Sequence, residues 1–273
     1  MPLRDILVHA SDNGRNSANW TLAGAIAADH KARLCAHYTH IPYTMPAYVE
    51  AYIPADIIAR QESERMERAE SARAEFEEFC RLRQISHEWH FTRDDAIDSL
   101  TQRARYSDVV VVGQEEDGLA PMEMADLAPE LVLGSGRPMI VVPYAGQFTT
   151  VGQRVLVAWN GSREAARAVH DALPILKRAR KTIVLSVDAE PEGHLPGADI
   201  SAHLARHGVL VEAAQTVAKD IDVADAILGA VSDYSADLLV MGAWGHSRMR
   251  ERVLGGVTRH VMKQMTVPVM MSH

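Results

Sequence analysis

An α/β architecture in duplicate is what this 273-residue sequence predicts: two tandem open five-stranded parallel-sheet domains with helices on both faces. Three observations lead there. Short apolar segments alternate with alanine-rich segments of helical period. Runs such as Val109-Val110-Val111-Val112 lack polar alternation, as strands covered by helices on both sides do. The second half of the chain also repeats the first.

The copies match element by element. "RDILVHASDN" near the start corresponds to "QRVLVAWNGS" at 153–162, each a strand followed by small polar residues. Both lead into helical segments, "SANWTLAGAIAADHKARL" and "SREAARAVHDALPILKRA", and then into second strands, "LCAHYTH" and "TIVLSVDA". Third strands are expected at "SHEWHFT" and "VLVEAAQT", third helices at "DAIDSLTQRARY" and "VADAILGAVSDY". "YSDVVVVGQ" matches "SADLLVMGA", ending at Gly113 and Gly242, and "GRPMIVVP" matches "TVPVMMSH", with Pro138 against Pro268. Crossovers between such parallel strands are right-handed, and ligands sit beyond the carboxyl ends of the strands at a switch point.

Ile6 precedes Val155 by 149 positions, whereas Gly113 precedes Gly242 by only 129. The first copy therefore carries roughly twenty additional residues between its second and third strands. They include the charged helical run "IIARQESERMERAESARAEFEEFCRLR", with Ile58, Met66, Phe76 and Phe79 as its candidate buried positions. Such a run is a solvated helix face or a cover for a partner or the other half. The polar, glycine-containing link "YAGQFTTVGQ" marks the boundary, giving domains 1–146 and 152–273.

Apolar residues make up 47% and charged residues 23% of the chain, the balance of a soluble globular protein. A formal charge of −8 argues against nucleic acid and anionic membrane as partners, so any phosphate site must be local. Cys35 and Cys80 have no CxxC spacing and fit a reducing compartment. With no apolar core of a signal peptide in "MPLRDILVHA", a cytoplasmic location is expected.

The stretch "GAWGHSRMRERVLGGV" carries Gly242, Gly245 and Gly255 as G-x2-G-x9-G after a strand and before a helix. It is neither a Walker A loop nor GxGxxG. Spacing alone leaves two readings open, a phosphate cradle or an ordinary strand-to-helix connection. Together with "VLVAWNGS" and "VPVMM", the stretch resembles the universal stress protein family, and the resemblance extends over the chain as two tandem copies. It implies a Rossmann-like fold of the adenine nucleotide alpha hydrolase type, with ATP bound by some members and not by others.

Carried over by position, the resemblance assigns Ala158 and Asn160 to the end of the first strand of the second copy, and Val187 near a base. Met241 and Gly242 would lie beneath ribose and phosphates, with Gly245, Gly255, Gly256, Val257 and Thr258 around the phosphates. Gly256 stands where the family usually has Ser or Thr, Trp244 where it has His, and Asn160 where nucleotide binders have Asp. Backbone N–H groups at a helix start still hold an anion. Arg248, Arg250 and Arg252 are candidate phosphate partners or solvated loop residues. In the first copy the loop positions fall on Ala125 and Asp126, and Glu115, Glu116 and Asp117 would repel phosphate, so that site is expected to be degenerate.

The expected cofactor is ATP, with or without Mg2+, and the expected role is that of a sensor or regulatory binder. A ligand-free, partner-binding scaffold and a slow ATP hydrolase are the alternatives. By analogy with family dimers, "PMIVV" and "PVMM" are expected to pair within the molecule, with a homo-oligomer as a further option. No metal site is expected. His37/His40 and His87/His90 are HxxH pairs, but that spacing on a strand puts the two rings on opposite faces. Asp94, Asp95 and Ser162 suit helix caps, and Met262, Met265, Met270 and Met271 suit core packing.

Overall fold

A computed structural model describes residues 2–11, 16–40, 54–93, 95–114, 127–188, 196–219, 221–243 and 256–273. The first half contains β1 (Asp5–Ala10), α1 (Asn16–His30), β2 (Arg33–Thr39), α2 (Ala55–Arg83), β3 (His87–Thr92), α3 (Ala96–Ala104), β4 (Val109–Gly113), α4 (Leu127–Gly134) and β5 (Met139–Val142). The second contains β6 (Arg154–Ala158), α5 (Arg163–Leu176), β7 (Lys181–Val187), α6 (Ala198–Arg206), β8 (Val211–Thr216), α7 (Val223–Asp233), β9 (Leu238–Gly242), α8 (Gly256–Gln264) and β10 (Val269–Ser272). Each half is the same strand and helix alternation.

The ten strands form one sheet in the order β3-β2-β1-β4-β5-β10-β9-β6-β7-β8. Pairing is parallel within each half and antiparallel only where β5 meets β10. The two five-stranded sheets are thus continuous. At the seam Val269 faces Val141, Met270 faces Ile140 and Met271 faces Met139. Since Met139 corresponds to Val269 and Val141 to Met271, the register is symmetric about the Ile140–Met270 pair. This is the geometry of a two-fold interface, made here inside one chain. The apolar side chains there are fully buried, and each contributes about 1.5–3 kcal/mol by leaving water.

Alternation along the strands sends successive side chains to two helix layers. Ile6, Val8, Leu34, Val155, Val157 and Val184 belong to the core beneath α1, α2, α5 and α6. Leu7, Cys35, Leu156, Ile183, Met241 and Met271 belong to the core beneath α3, α4, α7 and α8. In the 29-residue α2 the buried stripe is Ala69, Ala72, Phe76 and Cys80. Of the expected positions Phe76 is fully buried, while Ile58, Met66 and Phe79 are half-buried. Exposed pairs such as Arg60–Glu64 and Arg73–Glu77 line its outer side. Asp95 and Asp222 cap α3 and α7 by accepting from Asp98 and Ala224 N–H; Asp94 lies outside the described residues. Among the described residues no helix is long and apolar enough to cross a membrane.

Candidate functional site

The chain leaves β1 toward β2 on one side and β4 toward β5 on the other, and the second half repeats this at β6 and β9. In open α/β sheets such reversals are where ligand crevices form, here beyond the strand ends Ala10 and Gly113 in one half and Ala158 and Gly242 in the other. Because the halves are antiparallel, these two switch points lie at opposite edges of the sheet.

In the second half, Ala158 pairs with Met241 on one side and Leu185 on the other. Met241 is buried in the core beneath α7 and α8, and Ala158, Val187 and Val257 are partly buried against the same cluster. Four of the ten expected site residues thus share one apolar floor. The equivalent positions in the first half are His9, Thr39 and Val112. His9 Nε2 and Thr39 Oγ1 are hydrogen-bonded at 2.8 Å, and both residues are buried. Where the second half has an alanine methyl, the first has a buried imidazole.

Gly242 has a packing duty. A Cβ there would come within 2.5 Å of Ala165 N and 2.7 Å of the Glu164 carbonyl carbon, so the first turn of α5 rests on the β9 backbone. Gly256, the first residue of α8, is the opposite case: among the described residues a Cβ there meets nothing within 4 Å. Thr258, two residues on, is buried. Asn160 is exposed and accepts the Ser162 N–H with its side-chain oxygen at 3.1 Å, while Ser162 Oγ caps α5 by accepting from Ala165 N–H. Gly245 and Gly255 lie outside the described residues, as do Trp244, Arg248, Arg250 and Arg252, and in the first half Glu115, Glu116, Asp117, Ala125 and Asp126.

Two residues beyond the strand ends, one in each half, escaped the sequence reading. Glu164 is buried beside Gly242 and bound to Arg163 at 3.0 Å. Burial pushes its carboxyl upward, but its own backbone N–H, Arg163 and nearby His273 outweigh that and hold it below the usual carboxylate range. His273 Nδ1 donates to the Ala243 carbonyl at 2.9 Å. In the first half Gln114 occupies the place of Ala243 and instead crosses the seam. Its Nε2 donates to the Met262 carbonyl in the last turn of α8 at 2.7 Å, and its Oε1 accepts from Tyr144 N–H. No motif flagged Glu164 or Gln114; only the aligned ends of the strands give them away.

Residues 152–273 match the universal stress protein family. A universal stress protein of Synechocystis is 25% identical over 169 residues, 60% of this chain and 57% of that relative's length. Among solved structures, a universal stress protein of Archaeoglobus fulgidus aligns over 98% of this chain and 97% of its own, with a TM-score of 0.76 and 16% identity. A universal stress protein-type chain of Pseudomonas aeruginosa aligns over 99% and 93%, with a TM-score of 0.59 and 15% identity. At those identities the likeness is one of fold, and it runs across both halves.

Proposed function

Since the chain belongs to the universal stress protein family through residues 152–273, we propose that it is a sensor or regulatory protein holding an adenine nucleotide, ATP with or without Mg2+, in that half. The contrast of floors supports this. Ala158, Val187, Met241 and Val257 offer an apolar bed for a base at the carboxyl ends of the strands. The open start of α8 at Gly256 lies next in the chain after the glycine loop and presents N–H groups suited to phosphate. The first half has filled the matching space with His9 and Thr39. The role is binding, not fast turnover. A scaffold without nucleotide is the second reading, and Asn160 favours it, because its side-chain oxygen is already engaged by Ser162 N–H.

Calorimetric titration of the full chain with ATP and Mg2+ tests the proposal. One site per chain is expected. Ala158→His, which installs the first-half side chain, should weaken binding at least about tenfold, roughly 1.4 kcal/mol, while circular dichroism stays native. No heat at millimolar nucleotide, or binding indifferent to Ala158→His, would favour the scaffold.

A further inference from the structure

The outer strands of the first half bring chemistry together that no linear motif contains. β2 and β3 run in register, with Cys35 opposite Glu88 and His37 opposite His90. All four side chains project to the sheet face beneath α3. Cys35 Sγ, a Glu88 carboxylate oxygen and a His90 ring nitrogen all lie within 4.8 Å of one another. His90 Nε2 approaches Glu88 Oε1 to 2.8 Å, yet it is buried and lacks an aligned hydrogen-bond partner.

We propose that Cys35 Sγ, Glu88 Oε1 and His90 Nε2 form a zinc site whose fourth position is left to water. One sulfur, one nitrogen and one oxygen donor form a three-ligand set suited to tetrahedral Zn2+ with an open position. The thiolate disfavours Mg2+ and Ca2+, which take oxygen ligands. Arg33 supports the site from outside: its guanidinium binds Glu88 Oε2 at 2.9 Å and Asp5 at 2.7 Å, leaving Oε1 for the metal.

Arg103 of α3 opposes occupancy. Its guanidinium donates to His90 Nδ1, and arginine has no acceptor, so Nδ1 accepts and the ring proton sits on Nε2. Coordination through Nε2 requires that proton on Nδ1, and hence that Arg103 withdraw. Cys35 is buried, and burial, only partly offset by Arg103 and Arg33, pushes its thiol up to about 11. Metal binding forms a Cys35–zinc bond and releases the thiol proton to solvent. Within the HxxH pairs the other rings face away. His87 Nδ1 bonds the Ile85 carbonyl, and His40 Nε2 bonds Glu62 of α2. A separate histidine group, His170, His203 and His207, packs ring against ring with neighbouring centroids 5.4 and 4.7 Å apart and serves as the control for binding elsewhere.

The test is titration of the chelator-stripped full chain with Co2+, then Zn2+. Expected are one equivalent bound, a thiolate-to-cobalt charge-transfer band, and loss of both on adding zinc. Cys80→Ser should leave the band intact. Cys35→Ser should abolish it and weaken zinc binding at least about tenfold. His90→Ala, at a half-exposed edge-strand position, should weaken zinc binding similarly, which guards against misfolding of the cysteine variant. Arg103→Gln should tighten binding several-fold. Cobalt bound without the charge-transfer band, zinc affinity unchanged in Cys35→Ser, or binding lost only in His203→Ala would overturn the proposal.

Discussion

Beneath α3 the first half buries His9 and His37 in the places where the second half has Ala158 and Leu185 beneath α7. Strand order, helix layers and register are otherwise the same in the two halves. The fold thus depends on strand pairing and apolar faces that both copies keep, while the chemistry at the strand ends is free to diverge. One half keeps an apolar floor, and the other has exchanged it for a buried polar row.

Acid should expose this difference most strongly. Burial first, then neighbouring His37, lowers His9 to about 3; burial, then Arg103 and His90, lowers His37 to about 4. Between pH 6.5 and about 4 the unfolded chain therefore binds protons that the native first half refuses. Stability is full above pH 6.5 and falls as the pH drops through that window, by several kcal/mol at about 1.4 kcal/mol per pKa unit. Hydrogen exchange should show the first half opening at a higher pH than the second, and His9→Ala with Thr39→Val should flatten the slope. Equal loss of protection in both halves would break the comparison.

The paired glycines come next. Gly242→Ala presses a methyl group into the backbone of α5 and should cost about 3 kcal/mol. At Gly113 the atoms nearest the new methyl are those of the Asn19 side-chain amide, at 3.1 and 3.2 Å, not backbone, so about 1 kcal/mol is expected. Urea midpoints of the two variants sharpen the contrast, and equal costs would erase it. A comparably small effect should come from the one-way contact across the seam. Gln114→Ala unbinds the Met262 carbonyl and should cost about 1 kcal/mol by the same measurement, with faster exchange at the end of α8.

Much of the fold was legible because repetition checks itself: each strand of one copy located its counterpart. Pairing of Met139–Val141 with Val269–Met271 followed from an analogy and proved to be the seam. The stripe of α2 was only half legible, since Ala69 and Ala72 are inconspicuous among charges although they, not Met66, face the core. Ala158, Val187 and Met241 were singled out through family position, and their placement against one apolar layer emerged only with strand register. Gly242 was expected beneath a ligand, but close approach of α5 explains the missing side chain. The Cys35–Glu88–His90 group was illegible for a plainer reason. Its members are neighbours across strands, and a linear search for HxxH looks along them.

Joining β5 to β10 within one polypeptide has a lasting consequence. Two separate subunits part on dilution, whereas a covalent tether keeps these edges together at any cellular abundance. A substitution in a homodimer also appears twice, but here it appears once. Gln114 can hold α8 while its counterpart Ala243 bonds Ser272 and His273 of its own half, and each copy can be altered without altering its twin.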